Sequence, residues 1–301
     1  MGVNDWKLTA NGITCGISGL ALEGGGGSSL IAVRDNKEYK GSDAGSRVAR
    51  LKVGDGEFKA SDGPCEDGSK GTEDVQELSW PDAEKPQDLE AIDSVPGQDG
   101  HYVALESKGR VYHFSVEGNT VKVLGNPADL PNVSPGDNYE SFALVKHSDG
   151  IFAVWATRGQ DGTPSKIRTA KAELDASESI KIDSESVKEV SFSAPASSFE
   201  EGKGEVRHVS DLKIVNDGAV LLSSAQDPNN NDGPFASVVF NAGKFPDGGD
   251  LAISEEPTIL GKFTTGESRK IEAVVNLSEG RQIWGTDDEG SGGSIMTYQT
   301  S

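Results

Sequence analysis

Apolar residues occur in short runs that recur along the chain and are separated by turn-forming residues. A motif in which a small or acidic residue is followed by aliphatic residues begins five times, at Ile17, Leu89, Tyr139, Val209 and Ile271. After a turn rich in Gly or Asp, each copy is followed by a second apolar run and then by a segment in which polar and apolar residues alternate. Because no helical period is sustained, this pattern predicts a repeat of short antiparallel strands.

A fourth run completes several of the repeats. These runs are 120–124, 187–190, 258–260 and, in the first copy, 75–78. The last copy has no fourth run before Ser301, and the N-terminal run Trp6–Thr9 has the length to supply it. Four strands per unit in a radial repeat are typical of a β-propeller. We therefore predict an all-β fold, a five-bladed β-propeller with four antiparallel strands per blade and an N-terminal strand that closes the last blade.

The repeat predicts a single domain over residues 1–301. The predicted blades cover 14–80, 86–126, 136–192, 206–262 and 268–301, with 4–10 completing the last one. A chain of this length is near the upper limit for one core, so two separate β-domains are an alternative. That alternative leaves the missing last strand without an explanation.

The charge of the chain restricts its partners. The net charge is −21, from 49 acidic and 28 basic residues. A surface this acidic disfavours binding to nucleic acid or to anionic membranes, because it would not displace the counterions that surround these polyanions. We expect a monomer that binds a small molecule or glycan in the axial channel, or a protein partner on an acidic face that includes the 287–290 loop.

The sequence contains two cysteines, which are compatible with either a disulfide or two free thiols. Cys15 and Cys65 are too few for a disulfide-dense scaffold or for a zinc cluster built on thiolates. One bridge between them in an oxidising compartment and two free thiols are both compatible with the sequence. We expect a secreted or periplasmic protein from which an export signal has been removed.

Aligning the five motifs predicts which side chains face the channel, because the first strand of each propeller blade lines the axis. One column of the alignment holds Ser18, Glu90, Glu140, Ser210 and Glu272. The column two residues earlier, on the same side of each strand, holds Gly16, Asp88, Asn138, His208 and Lys270. Three glutamates in one layer around a narrow axis are the most informative feature of the sequence.

Like charges in a small space raise each other's pKa unless a cation lies between them. One use of the three glutamates is a Ca²⁺ site, to which Asn138 of the earlier column and Asp211 of the following column can also contribute. The candidate ligands are then Glu90, Glu140, Asn138, Asp211 and Glu272. Another use is acid–base catalysis, with candidate catalytic residues Glu90, Glu140, His208 and Glu272. A third interpretation is that the carboxylates only accept hydrogen bonds from backbone N–H groups of neighbouring blades.

Several blade segments resemble a known family. Asp88–Ile92, Tyr102–Ser107, Gly109–Tyr112, Lys270–Ala273 and Gly285–Asp288 resemble propellers described as having phytase-like esterase activity, which are distantly similar to gluconolactonase and regucalcin propellers. The resemblance implies Ca²⁺ in the channel and cleavage of esters, lactones or phosphoesters. By position it implies Glu90, Glu140 and Glu272 as metal ligands. The basic residues that it offers for a phosphate are Lys270, Arg34 and Arg158.

The sequence leaves three functions open. The first is a secreted, Ca²⁺-dependent hydrolase of an ester, lactone or phosphoester that uses carboxylates in the axial channel. The second is a non-catalytic binding propeller with an acidic top face. The third is a glycoside hydrolase, for which Trp155 and Trp284 are the aromatic residues near the channel-lining segments.

Overall fold

The computed structural model describes residues 9–14, 16–24, 29–35, 47–52, 75–81, 85–215, 217–277, 281–289 and 292–299. Cys15 and Cys65 lie outside the described residues, as do Trp6 to Leu8. The pairing of the two cysteines therefore stays a prediction.

The described residues form antiparallel β-sheets, which we number as blades 1 to 5. The first strand along the chain is β1 (Thr9–Thr14). Blade 1 contains β2 (Gly19–Leu22), β3 (Ser29–Val33), β4 (Val48–Lys52) and β5 (Val75–Glu77). Blade 2 contains β6 (Leu89–Ser94), β7 (His101–Glu106), β8 (Arg110–Glu117), β9 (Thr120–Val123) and β10 (Ala128–Asp129).

Blades 3 to 5 continue the pattern. Blade 3 contains β11 (Tyr139–His147), β12 (Gly150–Thr157), β13 (Ser165–Glu173), β14 (Lys181–Ile182) and β15 (Lys188–Phe192). Blade 4 contains β16 (Glu205–Ile214), β17 (Ala219–Asp227), β18 (Ala236–Lys244) and β19 (Ala252–Phe263). Blade 5 contains β20 (Ile271–Asn276), β21 (Arg281–Thr286) and β22 (Gly293–Gln299), with β1 at its outer edge. The outer position is divided in blades 2 and 3, where two short strands pair with one neighbour.

The blades close into a ring. The innermost strands contact one another in the cycle β2, β6, β11, β16, β20 and back to β2. A separate hydrophobic cluster fills each of the five interfaces between neighbouring blades. Trp155 and Trp284 are fully buried in two of these clusters. The five-bladed propeller predicted from the sequence is confirmed.

The N-terminus closes the ring as predicted, through the strand β1. β1 pairs with β22 from Thr9 opposite Thr297 to Thr14 opposite Gly293. The sequence placed this strand within 4–10, on the apolar residues Trp6 and Leu8. Trp6 to Leu8 lie outside the described residues, and the part of the predicted segment that is described, Thr9 and Ala10, belongs to β1.

Bulges in the innermost strands position the glutamates. The strand register shifts between Leu89 and Ala91, between Tyr139 and Ser141, and between Ile271 and Ala273. The inserted residues are Glu90, Glu140 and Glu272. A bulge leaves one residue outside the ladder and redirects its side chain, so the three glutamates share one backbone environment.

Among the described residues, no helix is long and apolar enough to cross a bilayer.

Candidate active site in the axial channel

A cavity of about 220 Å³ lies where the innermost strands begin. Its lining is Asp35, Asp88, Glu90, Asn138, Glu140, Arg158, Arg207, Lys270, Glu272 and Glu289. Six of these side chains are carboxylates, three are basic and none is aromatic. The structure therefore brings together four of the residues selected from the sequence as site candidates, namely Glu90, Asn138, Glu140 and Glu272.

The three glutamates have different partners. Glu272 Oε1 lies 3.3 Å from Lys270 Nζ and 3.5 Å from Arg207 Nη1. Glu140 Oε1 accepts a hydrogen bond from Asn138 Nδ2 and lies 3.8 Å from Arg158 Nε. Glu90 is 7% exposed and forms no hydrogen bond or salt bridge with another described residue. Only one of these three equivalent carboxylates therefore lacks a cationic partner within the described part of the chain.

Glu90 lies in the most negative part of the cavity. Carboxylate oxygens of Asp35, Asp88 and Glu90 all lie within 4.8 Å of one another. Burial, followed by the negative charges of Glu140 and Asp88, raises the pKa of Glu90 well above its ordinary value. A donor set made only of oxygens is the kind that binds hard divalent cations, and a cation would relieve the repulsion. These carboxylates can therefore bind a metal.

The backbone at Asp88 supports this arrangement. Asp88 has a positive φ of 62°, in the left-handed region that few residues other than glycine adopt. Its Oδ2 accepts a hydrogen bond from Ser107 Oγ, and its carbonyl accepts one from the Ser107 N–H at 3.0 Å. Such backbone conformations persist where surrounding contacts fix them, and they are frequent at functional sites.

A second side of the cavity, lined from blades 4 and 5, carries fixed positive charges that are paired with carboxylates. Arg207 Nη2 lies 2.6 Å from Asp227 Oδ2, and Lys270 Nζ forms an ion pair with Glu289. Lys270 is 1% exposed and its ammonium lies 5.4 Å from the centre of the Phe235 ring. Burial acts to lower the pKa of Lys270, but the carboxylates of Glu272 and Asp287 outweigh it and raise the pKa. Lys270 is therefore a permanent cation at the cavity wall.

Two buried carboxyls in or beside the cavity have a pKa raised close to neutral. Burial raises the pKa of Glu140 to about 7, although the Arg158 guanidinium opposes the shift. Burial and the Glu272 charge raise the pKa of Asp287 to about 8. Asp287 fills the space that a side chain at residue 16 would occupy, which explains the glycine in blade 1 at this column. A carboxyl that titrates near the working pH is suited to general acid–base catalysis.

His208 and Asp211, both selected from the sequence, lie outside the cavity lining. His208 Nδ1 accepts a hydrogen bond from the Ala194 N–H at 3.1 Å, and Nε2 donates to the Asp161 carbonyl at 2.8 Å. Asp211 accepts hydrogen bonds from the N–H groups of Leu212 and Val274, both at 2.8 Å. The side chains of both residues thus form hydrogen bonds with backbone groups.

A longer irregularity in blade 4 explains this difference. The register of β16 shifts between Arg207 and Asp211, so three residues lie between these positions. As a result, Arg207 reaches the cavity in place of the aligned His208. Arg207 was not selected from the sequence, because it lies one position before the aligned column and the length of the bulge could not be read from one sequence.

Arg34, another predicted phosphate-binding residue, does not line the cavity. Its Nη1 donates to both carboxylate oxygens of Glu77, at 2.8 and 3.0 Å, so the guanidinium is paired with Glu77 at the edge of blade 1. Arg158 and Lys270, the other two basic candidates, do line the cavity. With Arg207 they supply three basic side chains to the site.

A closed ring of five four-stranded blades with a polar cavity on its axis defines a five-bladed β-propeller with a channel site. The sequence profile of the family described as Phytase-like, esterase-like activity of phytase, matches residues 14–239, which is well over half of the chain. The chain belongs to this family, and its class is that of a hydrolase-type propeller. The resemblance drawn from the blade motifs is confirmed.

Two other comparisons add little. No curated protein matches the chain. Among solved structures, the β-propeller domain of Cps50 (Swd1) from Myceliophteria thermophila is similar over 95% of this chain and 84% of that chain, at 9% identity and a TM-score of 0.36. This similarity is too weak to support a fold assignment, which depends instead on the strand topology described above.

Proposed function

We propose that the protein is a Ca²⁺-dependent hydrolase that cleaves a phosphoester in the axial cavity. The observation that carries the proposal is the division of the cavity into two sides. Asp35, Asp88 and Glu90 form an acidic side, in which Glu90 has no cationic partner among the described residues. Arg207 and Lys270 form a basic side. A divalent cation and a phosphate anion match these two sides by charge.

The acidic side is the proposed metal site. Asp35, Asp88 and Glu90 would hold the cation with oxygen ligands. When bound, a divalent cation neutralises these carboxylates and polarises an oxygen of the scissile group. The raised pKa of Glu90 supports this assignment, because its causes are burial and neighbouring negative charge. Ca²⁺ is the proposed ion because all of the donors are hard oxygens.

The basic side is proposed to bind and orient the anionic group. Arg207 is held by Asp227 at 2.6 Å and by Glu272 at 3.5 Å, which fixes its guanidinium before substrate arrives. Lys270 is held by Glu272 and Glu289. Charges fixed in advance bind an anion without the entropy cost of ordering long side chains.

Glu140 is proposed to take the proton from the attacking water. Its pKa of about 7 lets it accept and release a proton near neutral pH. Asn138 Nδ2 donates to Glu140 Oε1 and fixes the orientation of the carboxyl. The Arg158 guanidinium, 3.8 Å away, stabilises its ionised form.

A hydrolysis panel tests the proposal. The purified protein is assayed against phosphate monoesters, carboxylate esters and lactones, with Ca²⁺ or with a chelator. We expect Ca²⁺-dependent turnover of a phosphoester that Glu90→Gln lowers by at least about 100-fold, as loss of one strong electrostatic contact would. The matched control is Glu117→Gln at the exposed end of β8, which should behave as the wild type.

Absence of turnover with every substrate would overturn the proposal in favour of a binding propeller. Turnover of carboxylate esters or lactones alone would remove the phosphate assignment and keep the hydrolase. A glycoside hydrolase receives less support, because no aromatic side chain is among the described residues that line the cavity. Secretion or a periplasmic location, and the monomeric state, stay predictions.

A further inference from the structure

A second group of ligand-type side chains lies away from the axial cavity. A ring nitrogen of His147 and carboxylate oxygens of Asp149 and Asp247 all lie within 4.8 Å of one another. His147 ends β11, the strand that carries Glu140 near its start. At the rise of a β-strand, the seven-residue separation places the group roughly 20 Å from the cavity. It is therefore independent of the proposed active site.

His147 differs from the other three histidines in its hydrogen bonds. His147 is 7% exposed, its Nδ1 is buried, and neither ring nitrogen bonds to another described residue. His208 uses both nitrogens, and His101 and His113 contact each other at 3.4 Å. A buried polar atom without a partner costs free energy, so such an atom calls for a ligand or an explanation.

Neighbouring residues fix the geometry of this group. The His147 ring contacts Phe152 and Phe245, with ring centres 5.1 and 4.5 Å away. Asp247 Oδ1 accepts hydrogen bonds from the Ser148 N–H at 2.8 Å and from Ser148 Oγ at 2.9 Å. Contacts of this kind hold metal ligands in position before an ion arrives.

We infer that His147, Asp149 and Asp247 form a second metal site, which binds a divalent transition-metal ion of the Zn²⁺ type. One imidazole and two carboxylates form a mixed nitrogen and oxygen set, which suits Zn²⁺ and its neighbours better than Ca²⁺. A cavity of about 300 Å³ lined by His147 and Asp149 gives access to the group. The Lys171 ammonium, 3.1 Å from Asp149, competes with the ion for that carboxylate.

The bound ion would join two blades. His147 and Asp149 belong to blade 3, whereas Asp247 follows β18 of blade 4. A ligand that binds only the folded protein raises the thermal midpoint. Zn²⁺ is therefore expected to stabilise the ring at this junction, on a site distinct from the one used for hydrolysis.

Histidine NMR tests the site directly, because the chain has four histidines. Zn²⁺ is titrated into full-length protein that carries no affinity tag, in the Glu90→Gln background to weaken binding in the axial cavity. We expect one imidazole C–H signal of the four to shift saturably, and that signal to be missing in His147→Gln. Asp149→Asn with Asp247→Asn should weaken the apparent Zn²⁺ affinity by at least about tenfold. Lys171→Met should strengthen it.

The aspartates are exposed, so their variants should fold even if His147→Gln does not. Ca²⁺ in place of Zn²⁺ should leave the His147 signal unchanged. The inference is overturned if the His147 signal does not move at millimolar Zn²⁺. It is also overturned if the shift is the same in the double aspartate variant.

Discussion

Two layers of charged residues on the same axis behave differently. The cavity layer consists of Glu90, Glu140 and Glu272, and the inner layer consists of Asp93, Asp211 and Lys213. Carboxylates of the inner layer bond to the backbone of the next blade, since Asp93 Oδ2 accepts the Leu144 N–H and Asp211 Oδ2 accepts the Val274 N–H, both at 2.8 Å. The cavity layer instead contacts side chains and open space.

Lys213 completes the inner layer. Its Nζ donates to the Ile92 carbonyl at 2.5 Å and to the Phe142 carbonyl at 3.1 Å, and lies 3.9 Å from Asp211 Oδ1. One ammonium from blade 4 thus ties blades 2 and 3. Acidic residues in one channel therefore have two roles, which differ according to whether the carboxylate bonds to the backbone or faces the cavity. Those bonded to backbone stabilise the ring, and those facing the cavity are available for chemistry.

The largest expected effect is on stability in the inner layer. Asp211→Ala removes two backbone hydrogen bonds and the carboxylate that lies 3.9 Å from Lys213 Nζ. We expect the free energy of unfolding to fall by about 3–5 kcal/mol, as for other broken buried ion pairs. Chemical denaturation measures this change, with Glu90→Gln in chelator as the matched variant from the cavity layer. The comparison fails if Asp211→Ala is as stable as Glu90→Gln.

The second prediction concerns pH in the cavity layer. The folded protein holds the Glu140 proton up to a pH of about 7, whereas the unfolded chain releases it near the ordinary value of 4.5. Stability from this group is therefore complete below pH 4.5 and is lost as pH rises to about 7, by about 3 kcal/mol in chelator. Glu140→Gln should remove that part of the slope. An unchanged slope between pH 5 and 7 would contradict the assignment.

A smaller effect is expected for substrate binding. Arg207→Gln removes a guanidinium that faces the cavity, and a charge-assisted hydrogen bond is worth about 2 kcal/mol. We expect the KM for a phosphoester to rise by about 10- to 100-fold, with kcat less affected. A neutral ester, if it is hydrolysed at all, serves as the internal control and should show no such rise. Equal losses with both substrates would indicate a structural role.

The smallest effect is expected for Arg158, which is partly exposed and 3.8 Å from Glu140. Its charge lowers the pKa of Glu140, so Arg158→Gln should raise that pKa. We expect the midpoint of the pH–rate profile to move upward by less than about one pH unit, because solvent screens the charge of the partly exposed Arg158 guanidinium. A downward shift would show that Glu140 is not the titrating group.

The repeat pattern was sufficient to predict the ring, because each blade buries its apolar strands in the same way. It also predicted that Glu90, Glu140 and Glu272 share a layer, since each occupies the same bulge. The pattern failed for His208, because the irregularity in β16 is longer than in the other blades. Asp35 was also missed as a cavity residue, because the segment after β3 brings it to the cavity and no periodicity describes that approach.

Glu90 and its neighbours are proposed to bind the divalent cation. Titration calorimetry with Ca²⁺ on the wild type, Glu90→Gln and the control Glu117→Gln tests this proposal most directly. We predict that the wild type and Glu117→Gln bind Ca²⁺ alike and that Glu90→Gln binds it at least about tenfold more weakly. Equal Ca²⁺ affinity in Glu90→Gln and the wild type would contradict the account.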